Sequence, residues 1–342
     1  MQRPNRRRFL RSALAGTATL AAASLFPKPG SAEPCLVIGG GPAGVSAALA
    51  LRAARPGLPV TLVERDPTRL AAPAAEIAAF LRPAPPADVA DLAAAGVSVV
   101  LDDVTEVDWA SRRLGLFSGR RIAFGSLVMA PGVAPRDEAI AGYDAIARHV
   151  WPAAWGSPRE ARRLSGQLAA MADDGHVVLR LPEGAGGHPA VAAERALTIA
   201  DFLHRTRPSA RLTVLDAAPD SEAARIFAAR LPVGGAAARV DWRNAAAGGR
   251  VFAVDASRGI LETGAGTLRA DVVNFVVPQG AAAVARLAGL VDDSGWCPCD
   301  AGARSLLNPD AIVIGDVRRN ATRDLPGALA QGTLGARAVL AS

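Results

Sequence analysis

The chain has 342 residues, of which 50% are apolar and only 4% aromatic, so alanine, valine and leucine must fill its core. This composition favours an α/β protein of about two domains over an all-β one. The net charge of +6 does not indicate nucleic-acid binding: six of the 38 basic residues lie in residues 1–32, which contain no acid, leaving 32 bases against 32 acids. Three cysteines are too few for a disulfide scaffold.

The first 32 residues predict a signal peptide. Residues 5–11 (NRRRFLR) resemble the twin-arginine export signature, and the mildly apolar residues 13–26 are too short to span a bilayer. Gly30-Ser31-Ala32 offers small residues for cleavage. We therefore expect a twin-arginine signal peptide over 1–32, a periplasmic protein and no transmembrane segment in the mature chain. A basic amphipathic anchor or an uncleaved tail is the alternative.

A first βαβ unit follows the signal. Residues 34–38 predict an apolar strand, residues 43–54 an alanine- and leucine-rich helix and residues 60–64 a second strand. The loop between strand and helix matches G-x-G-x-x-G, the pattern that binds a dinucleotide on a helix N-terminus. Its first glycine makes the turn, its second lets the backbone approach a pyrophosphate, and its third lets the helix pack on the sheet. The predicted cofactor-binding residues here are Gly39, Gly41, Pro42, Ala43, Gly44 and the ribose-binding acid Glu64. A glycine-rich turn without a ligand is the alternative.

The next segment predicts a loop over 66–88 with a short helix around 74–81, then several strands. Strands are expected at 97–101 and at 104–108, and the second of these could continue the sheet. Val104, in the second strand, is a further predicted cofactor-binding residue. A hairpin over 113–122 and a strand over 126–130 follow.

A second βαβ unit is predicted from a strand at 176–181, a helix at 189–204 and a strand at 211–216. Gly184 and Gly186 keep the first glycine spacing, but Pro189 stands where the third glycine would be, which argues against an NAD(P)H site. Residues 217–250 look like loop. The remaining predicted elements are strands at 251–254, 260–263, 272–277 and 311–315, and a helix at 325–340.

Two strand ends resemble the paired FAD motifs of flavoproteins with two dinucleotide domains. Ala130 and Gly132 belong to the first motif, and Gly315 and Asp316 belong to the second. In such proteins the aspartate hydrogen-bonds the ribityl or pyrophosphate region, so the resemblance implies FAD. The predicted fold is α/β, with two interleaved Rossmann-like dinucleotide-binding domains in a glutathione-reductase-like FAD fold. The expected boundaries are an FAD domain over 33–145, an inserted second domain over 146–269 and a return segment over 270–342.

Residues 293–298 (DSGWCP) resemble the flavoprotein subunit of flavocytochrome c sulfide dehydrogenase, a relative of the sulfide:quinone oxidoreductases. Residues 155–174, 194–196, 211–216 and 270–274 resemble other segments of that family. The resemblance implies a small sulfur-compound substrate, a redox disulfide beside the flavin and a c-type cytochrome subunit that accepts the electrons. No nucleic-acid partner and no metal site are expected.

The match to that family's cysteines is partial. Cys297 corresponds to one member of the redox disulfide, but His188 stands at the other position. Cys299 is the remaining candidate catalytic residue, and both cysteines could equally be reduced structural thiols. Residues 65–90 contain no cysteine where the family links its flavin covalently, so FAD is expected to be non-covalent. The family's C-terminal extension also has no counterpart before Ser342.

Three hypotheses result. The first is an exported FAD-dependent oxidoreductase of the sulfide dehydrogenase type. The second is a degenerate paralogue that binds FAD as a non-catalytic partner. The third is an NAD(P)H-dependent reductase of the ferredoxin-reductase type.

Overall fold

The computed structural model describes residues 33–71, 87–136, 138–154, 157–184, 189–231 and 239–342. The predicted signal peptide, the short helix around 74–81 and His188 lie outside these residues. The strands are β1 (Cys35–Ile38), β2 (Val60–Glu64), β3 (Val97–Leu101), β4 (Val104–Asp108), β5 (Arg113–Leu116), β6 (Arg121–Ala123), β7 (Ser126–Met129), β8 (Val133–Pro135), β9 (His176–Leu181), β10 (Arg211–Asp216), β11 (Val240–Arg243), β12 (Val251–Asp255), β13 (Ile260–Thr263), β14 (Gly266–Arg269), β15 (Val272–Phe275), β16 (Gln279–Ala281) and β17 (Ala311–Val313). The α-helices are α1 (Pro42–Ala54), α2 (Val89–Ala94), α3 (Ala145–Val150), α4 (Pro158–Ala170), α5 (Pro189–Thr206), α6 (Glu222–Arg230), α7 (Ala283–Leu287) and α8 (Leu325–Leu340).

A five-stranded parallel sheet carries the first dinucleotide fold, in the order β17-β7-β1-β2-β3. Every residue of β1 is buried, as expected for a central strand covered on both faces. Its side chains alternate between two apolar clusters: Cys35 and Val37 pack with α1 and α8, whereas Leu36 and Ile38 pack on the opposite face. β17 returns to this sheet from the end of the chain, which confirms the predicted interleaving.

Helices α1 and α8 pack closely because a glycine lies where they cross. A Cβ on Gly332 would lie 2.6 Å from the Ala43 carbonyl oxygen and 2.6 Å from Ser46 Cβ. The two helices pack against the same face of the sheet, and α1 begins at the glycine loop. The last helix therefore supports the predicted cofactor loop.

A four-stranded parallel sheet, in the order β11-β10-β9-β15, forms the second dinucleotide fold. Two of its elements, β11 and α6, lie in residues 217–250, where the sequence predicted loop. Ser221 caps α6 by accepting a hydrogen bond from the Ala224 N–H, a signal that the sequence contains but that its alanine-rich surroundings obscure. The strand β15 pairs with β9, so the return to the first sheet follows Phe275 and is later than the predicted boundary at residue 269.

The remaining strands are antiparallel. β4, β5 and β6 form one sheet, β12, β13 and β14 a second, and β8 pairs with β16. The predicted hairpin is confirmed as β5 and β6, but β4 does not continue the parallel sheet.

Among the described residues, none of the helices combines the length and apolar character needed to cross a membrane.

Candidate functional site

The glycine loop between β1 and α1 has the contacts that its three glycines require. Gly39 has a φ of +105°, and a Cβ there would lie 2.2 Å from the Ala130 carbonyl oxygen. A Cβ on Gly44 would lie 1.9 Å from the Gly39 carbonyl oxygen. Gly41 differs, since a Cβ there would meet no atom of the described residues within 4 Å. Two glycines are thus needed by the fold, and the third leaves open space beside the backbone.

The N-terminus of α1 faces this open space without a side-chain cap. Gly41 is the N-cap residue, with a φ of −70° and a ψ of 179°, and Pro42 follows at the first helical position. The amides of Ala43 and Gly44 lie in the first turn, where a helix offers N–H groups and a positive partial charge to an anion. This arrangement fits a diphosphate.

Glu64 lies at the end of β2, beside the loop. It is buried; its Oε2 accepts the Gly40 N–H at 2.7 Å and its Oε1 accepts the Asp66 N–H at 2.9 Å. These bonds fix the carboxylate against the glycine loop. Each oxygen retains a further lone pair, so the group can still accept from ribose hydroxyls.

The end of β7 supplies the second predicted motif. The Ala130 N–H donates to the Ile38 carbonyl, which joins this strand end to the start of the glycine loop. Gly132 has a φ of +68°, a conformation that disfavours other residues, and a Cβ there would lie more than 4 Å from every atom in the described ranges. The chain then enters β8. A second stretch of open backbone thus lies next to the first.

The turn after β17 contains the third predicted motif, Gly315 and Asp316. The Ile314 N–H donates to the Met129 carbonyl, and Gly315 has a φ of +78° with its missing Cβ only 3.0 Å from Ala43 Cβ. The Gly315 N–H donates to Gln331 Oε1 at 2.8 Å. Gln331 was missed by the sequence analysis; its place in the predicted last helix was the available signal. The turn is therefore fixed against α1 and α8.

Asp316 follows Gly315 in a single 3-10 turn. Burial raises the pKa of its carboxyl from 3.8 to about 6, and the positive charge of Arg323 opposes that rise. The Arg323 guanidinium stacks on Trp296 at 3.7 Å from the ring centroid. Sequence reasoning missed the pairing of Arg323 with Trp296, because the two residues are distant along the chain.

Val104 is less directly placed. It is half-buried in the antiparallel sheet of β4 and packs with the cluster that contains Ile38 and Val63. These two residues precede the glycine loop and Glu64. Val104 therefore packs against the last residues of β1 and β2, on the side of the sheet opposite α1.

The two candidate catalytic cysteines lie beside the Asp316 turn but are reduced. The Cys297 N–H donates to the Val317 carbonyl at 3.0 Å, and its side chain is completely buried. Burial raises the pKa of the Cys297 thiol to about 12. Cys299 is half-buried, its pKa is also raised by burial, and its Sγ donates to the Cys297 carbonyl at 3.6 Å. Cys297 is therefore a neutral thiol at neutral pH.

The second parallel sheet offers a different strand end. Asp216, at the end of β10, occupies the place that Glu64 has in the first fold. Its carboxylate is buried and accepts from the Ala218 N–H, the Ser221 hydroxyl and the Trp242 indole N–H. A Cβ on Gly249 would also lie 2.7 Å from the Asp216 carbonyl oxygen. The acid of the second fold is therefore engaged by its own domain.

Two family models match the chain in separate parts. Residues 33–155 match the pyridine nucleotide-disulphide oxidoreductase model, and residues 161–278 match the central part of the sulfide dehydrogenase (flavocytochrome c) flavoprotein chain. The first match contains the glycine loop, Glu64 and Gly132. The second contains the four-stranded parallel sheet.

Solved structures share the fold at low sequence identity. An NAD-dependent persulfide reductase from A. fulgidus aligns with a TM-score of 0.68 at 18% identity, covering 90% of this chain and 59% of its own. The putidaredoxin reductase–putidaredoxin complex aligns at 0.67 and 18%, covering 91% and 76%. The sulfide:quinone oxidoreductase from Aquifex aeolicus aligns at 0.59 and 18%, covering 84% and 69%.

Three turns at one edge of a parallel sheet, together with the matching models, define the class of the protein. It is a flavoprotein oxidoreductase with two interleaved Rossmann-like domains.

Proposed function

We propose that the chain is an FAD-dependent oxidoreductase that passes electrons from a reduced sulfur compound to a c-type cytochrome in the periplasm. The observation that carries the FAD assignment is the meeting of Gly41, Gly132 and the Gly315–Val317 turn at one sheet edge, next to an uncapped helix N-terminus. The match of residues 161–278 to a sulfide dehydrogenase flavoprotein chain supports the sulfur donor and the cytochrome partner.

The residues of this chain would divide the binding of FAD between them. The amides of Ala43 and Gly44 would hold the diphosphate, Glu64 would accept from ribose hydroxyls, and Asp316 would accept from the ribityl chain. FAD supplies a site that takes two electrons at once and can release them singly. We propose non-covalent binding, because residues 65–90 contain no cysteine.

The FAD assignment is tested by the purified protein itself. We expect a flavin absorption spectrum and near-stoichiometric FAD that acid precipitation releases into the supernatant. Flavin that stays with the precipitate would contradict the non-covalent part of the proposal. Absence of flavin, with no FAD-induced rise in the melting temperature, would contradict the function.

The electron donor is tested under anaerobic conditions with the holoprotein. Sulfide is expected to bleach the flavin absorbance, and added cytochrome c is expected to restore it. Cys297→Ala addresses the role of the cysteine, with Cys35→Ala as a matched variant because Cys35 is also fully buried and has a pKa raised to about 12. Bleaching lost only in Cys297→Ala would support a sulfur relay through this residue.

A non-catalytic FAD-binding partner is the second candidate, and the state of Cys297 favours it. A fully buried thiol whose pKa is raised to about 12 is a poor nucleophile and a poor target for a dissolved sulfur compound. This candidate predicts flavin that sulfide does not reduce in either the wild type or the Cys297→Ala variant.

The nicotinamide alternative is disfavoured by Asp216. An acid at this position can bind the adenosine ribose of NAD, but Oδ2 of Asp216 already accepts from both the Ser221 hydroxyl and the Trp242 indole N–H, and Oδ1 accepts from the Ala218 N–H. Asp216 therefore keeps one lone pair for a ribose hydroxyl, whereas Glu64 keeps one on each oxygen. We expect NADH and NADPH to leave the flavin oxidised. Rapid bleaching by either would overturn this part of the proposal.

A further inference from the structure

Gln279, the first residue of β16, carries a buried polar atom that has no hydrogen-bond partner among the described residues. The residue is only 4% exposed, and within the described residues its amide oxygen accepts no hydrogen bond. Most buried polar atoms in folded proteins are paired, because an unpaired one loses its hydrogen bonds to water without replacement. A bound ligand is one way to satisfy such an atom.

The strand that carries Gln279 lies between two of the turns assigned to FAD. β16 pairs with β8, the strand that directly follows Gly132, and the Ala282 N–H donates to the Gly132 carbonyl at 3.3 Å. The same strand contacts the Gly315–Val317 turn. The position of β16 is therefore fixed by its contacts with β8, Gly132 and the Gly315–Val317 turn.

The alternation of side chains along β16 indicates which face Gln279 occupies. Gly280 points to one face, where its missing Cβ would lie 2.9 Å from Arg136 Cδ and 3.2 Å from Arg286 Nη2. Ala281 points to the other and packs in the cluster that contains Cys297 and Val317. Gln279 shares the face of Ala281, since residues two apart on a strand point the same way.

The chemistry of a carboxamide matches one edge of the flavin ring system. The pyrimidine edge of the isoalloxazine presents a carbonyl, an N–H and a second carbonyl in a row. A glutamine amide offers an acceptor and a donor side by side, so it can bind two neighbouring positions of that edge, as glutamine binds the edge of a base. Both orientations of the amide satisfy this pairing.

We propose that the Gln279 side chain binds the pyrimidine edge of the FAD ring system and thereby positions the ring between the Gly132 and Asp316 turns. This inference rests on the proposed binding of FAD. Gln279 lies where the chain returns from the second parallel sheet, whereas the sequence motifs for FAD all lie in the first dinucleotide fold. The inference therefore adds a residue that these motifs do not include.

The test compares FAD binding and flavin potential in three variants. Gln279→Leu removes both hydrogen-bonding groups, and Gln279→Glu keeps the shape but replaces the donor with a negative charge. Gln167→Leu is the matched control, because Gln167 also has a buried amide oxygen without a partner in the described part of the chain but lies on α4 of the second domain. FAD affinity is measured by titrating flavin-free protein and following flavin fluorescence. The midpoint potential is measured by spectroelectrochemistry of the holoprotein.

We expect Gln279→Leu to raise the FAD dissociation constant by about tenfold or more, as the loss of a paired amide contact implies. Gln279→Glu should lower the midpoint potential, because a negative charge at this edge disfavours added electrons, and should shift the flavin absorption bands. Gln167→Leu should leave affinity, potential and spectrum unchanged.

Wild-type affinity, potential and spectrum in both Gln279 variants would overturn this inference while leaving the proposed function intact. Equal changes in Gln279→Leu and Gln167→Leu would also overturn it, because they would indicate a general loss of stability. If the wild-type protein binds no FAD, the inference and the proposed function both fail.

Discussion

At the scale of single residues, Gly41 separates cofactor binding from folding. Its φ of −70° suits any residue, and a Cβ on it would meet no atom within 4 Å in the part of the chain that the structure describes. Gly41→Ala should therefore leave the melting temperature of the flavin-free protein nearly unchanged. The added methyl group would occupy the space into which a pyrophosphate fits, so FAD binding should weaken by about tenfold or more.

Calorimetry without FAD and a fluorescence titration with FAD measure the two effects of Gly41→Ala separately. Gly57→Ala is the control, since Gly57 also has open space at its Cβ but lies in the turn after α1, away from the loop. A Gly41→Ala variant that binds FAD as tightly as Gly57→Ala would contradict the role of Gly41.

The raised pKa of Asp316 predicts how the stability of the protein depends on pH. Its folded pKa of about 6 lies above the usual 3.8, so its contribution to stability is full below about pH 4 and is lost as the pH rises through about 6. Asp316→Asn removes this loss and should stabilise the flavin-free protein at pH 8 by at most about 3 kcal/mol. Near pH 4 the two proteins should be equally stable.

Urea unfolding of the wild type and Asp316→Asn across this pH range checks the prediction. Asp310→Asn, in the exposed turn before β17, is the control for the same substitution at a solvent-exposed position. A stability difference that stays constant from pH 4 to pH 8 would mean that burial of Asp316 is not its cause.

At the scale of elements, hydrogen bonds connect α5 and the second parallel sheet to residues 152–154, the segment that leads into the second domain. Arg195 on α5 donates to the Ala153 and Ala154 carbonyls and to Asn274 Oδ1, and Asn274 on β15 donates to the Pro152 and Ala153 carbonyls. Burial lowers the pKa of Arg195 to about 9, because desolvation disfavours its charge. These hydrogen bonds hold residues 152–154 against both α5 and β15.

Replacing Arg195 with methionine should strongly destabilise the protein. The substitution leaves the buried Ala154 carbonyl and the Asn274 side-chain oxygen without the donor that Arg195 supplies, which should cost about 2–5 kcal/mol in the free energy of unfolding. Arg205→Met on the same helix is the control: Arg205 forms an exposed pair with Asp201 that should contribute less than about 1 kcal/mol. Equal effects of the two substitutions in chemical denaturation would argue against the network.

At the scale of the whole molecule, the site depends on contacts between distant parts of the chain. β17 and α8 bring the Gly315–Val317 turn and Gln331 to a loop formed near residue 40, and β16 returns from the second domain to pair with β8. The proposed flavin site therefore requires that β16, β17 and the last helix fold together with the glycine loop.

Export of the folded protein is the remaining prediction at this scale. We expect the double substitution Arg6→Lys and Arg7→Lys to retain the chain in the cytoplasm, because the twin-arginine pattern in residues 5–11 would be lost. Arg3→Lys should leave export intact. Fractionation of cells that express the full-length chain measures this, and periplasmic protein in the double variant would contradict a twin-arginine route.

Much of the fold was accessible from local pattern. The β1–α1–β2 unit, the hairpin of β5 and β6 and the last helix follow from hydrophobic periodicity and from glycine and proline positions over short windows. The helix α6 and the strand β11 were missed because an alanine-rich segment has weak periodicity, and tertiary packing of Phe227 on Trp242 decides its structure. The return boundary was placed too early because a buried strand carries no mark of the sheet to which it belongs.

The sequence by itself determined the dinucleotide loop, because only glycine tolerates the conformation of Gly39 and the close approach at Gly44. Tertiary structure alone decided what surrounds that loop. It made Cys297 a buried neutral thiol and gave the Asp216 carboxylate hydrogen-bond donors within its own domain. Within the described part of the chain, it also left the Gln279 amide oxygen without a partner beside the predicted flavin turns. Burial, pKa and hydrogen-bond pairing arise from residues far apart in the chain, and no local sequence pattern encodes them.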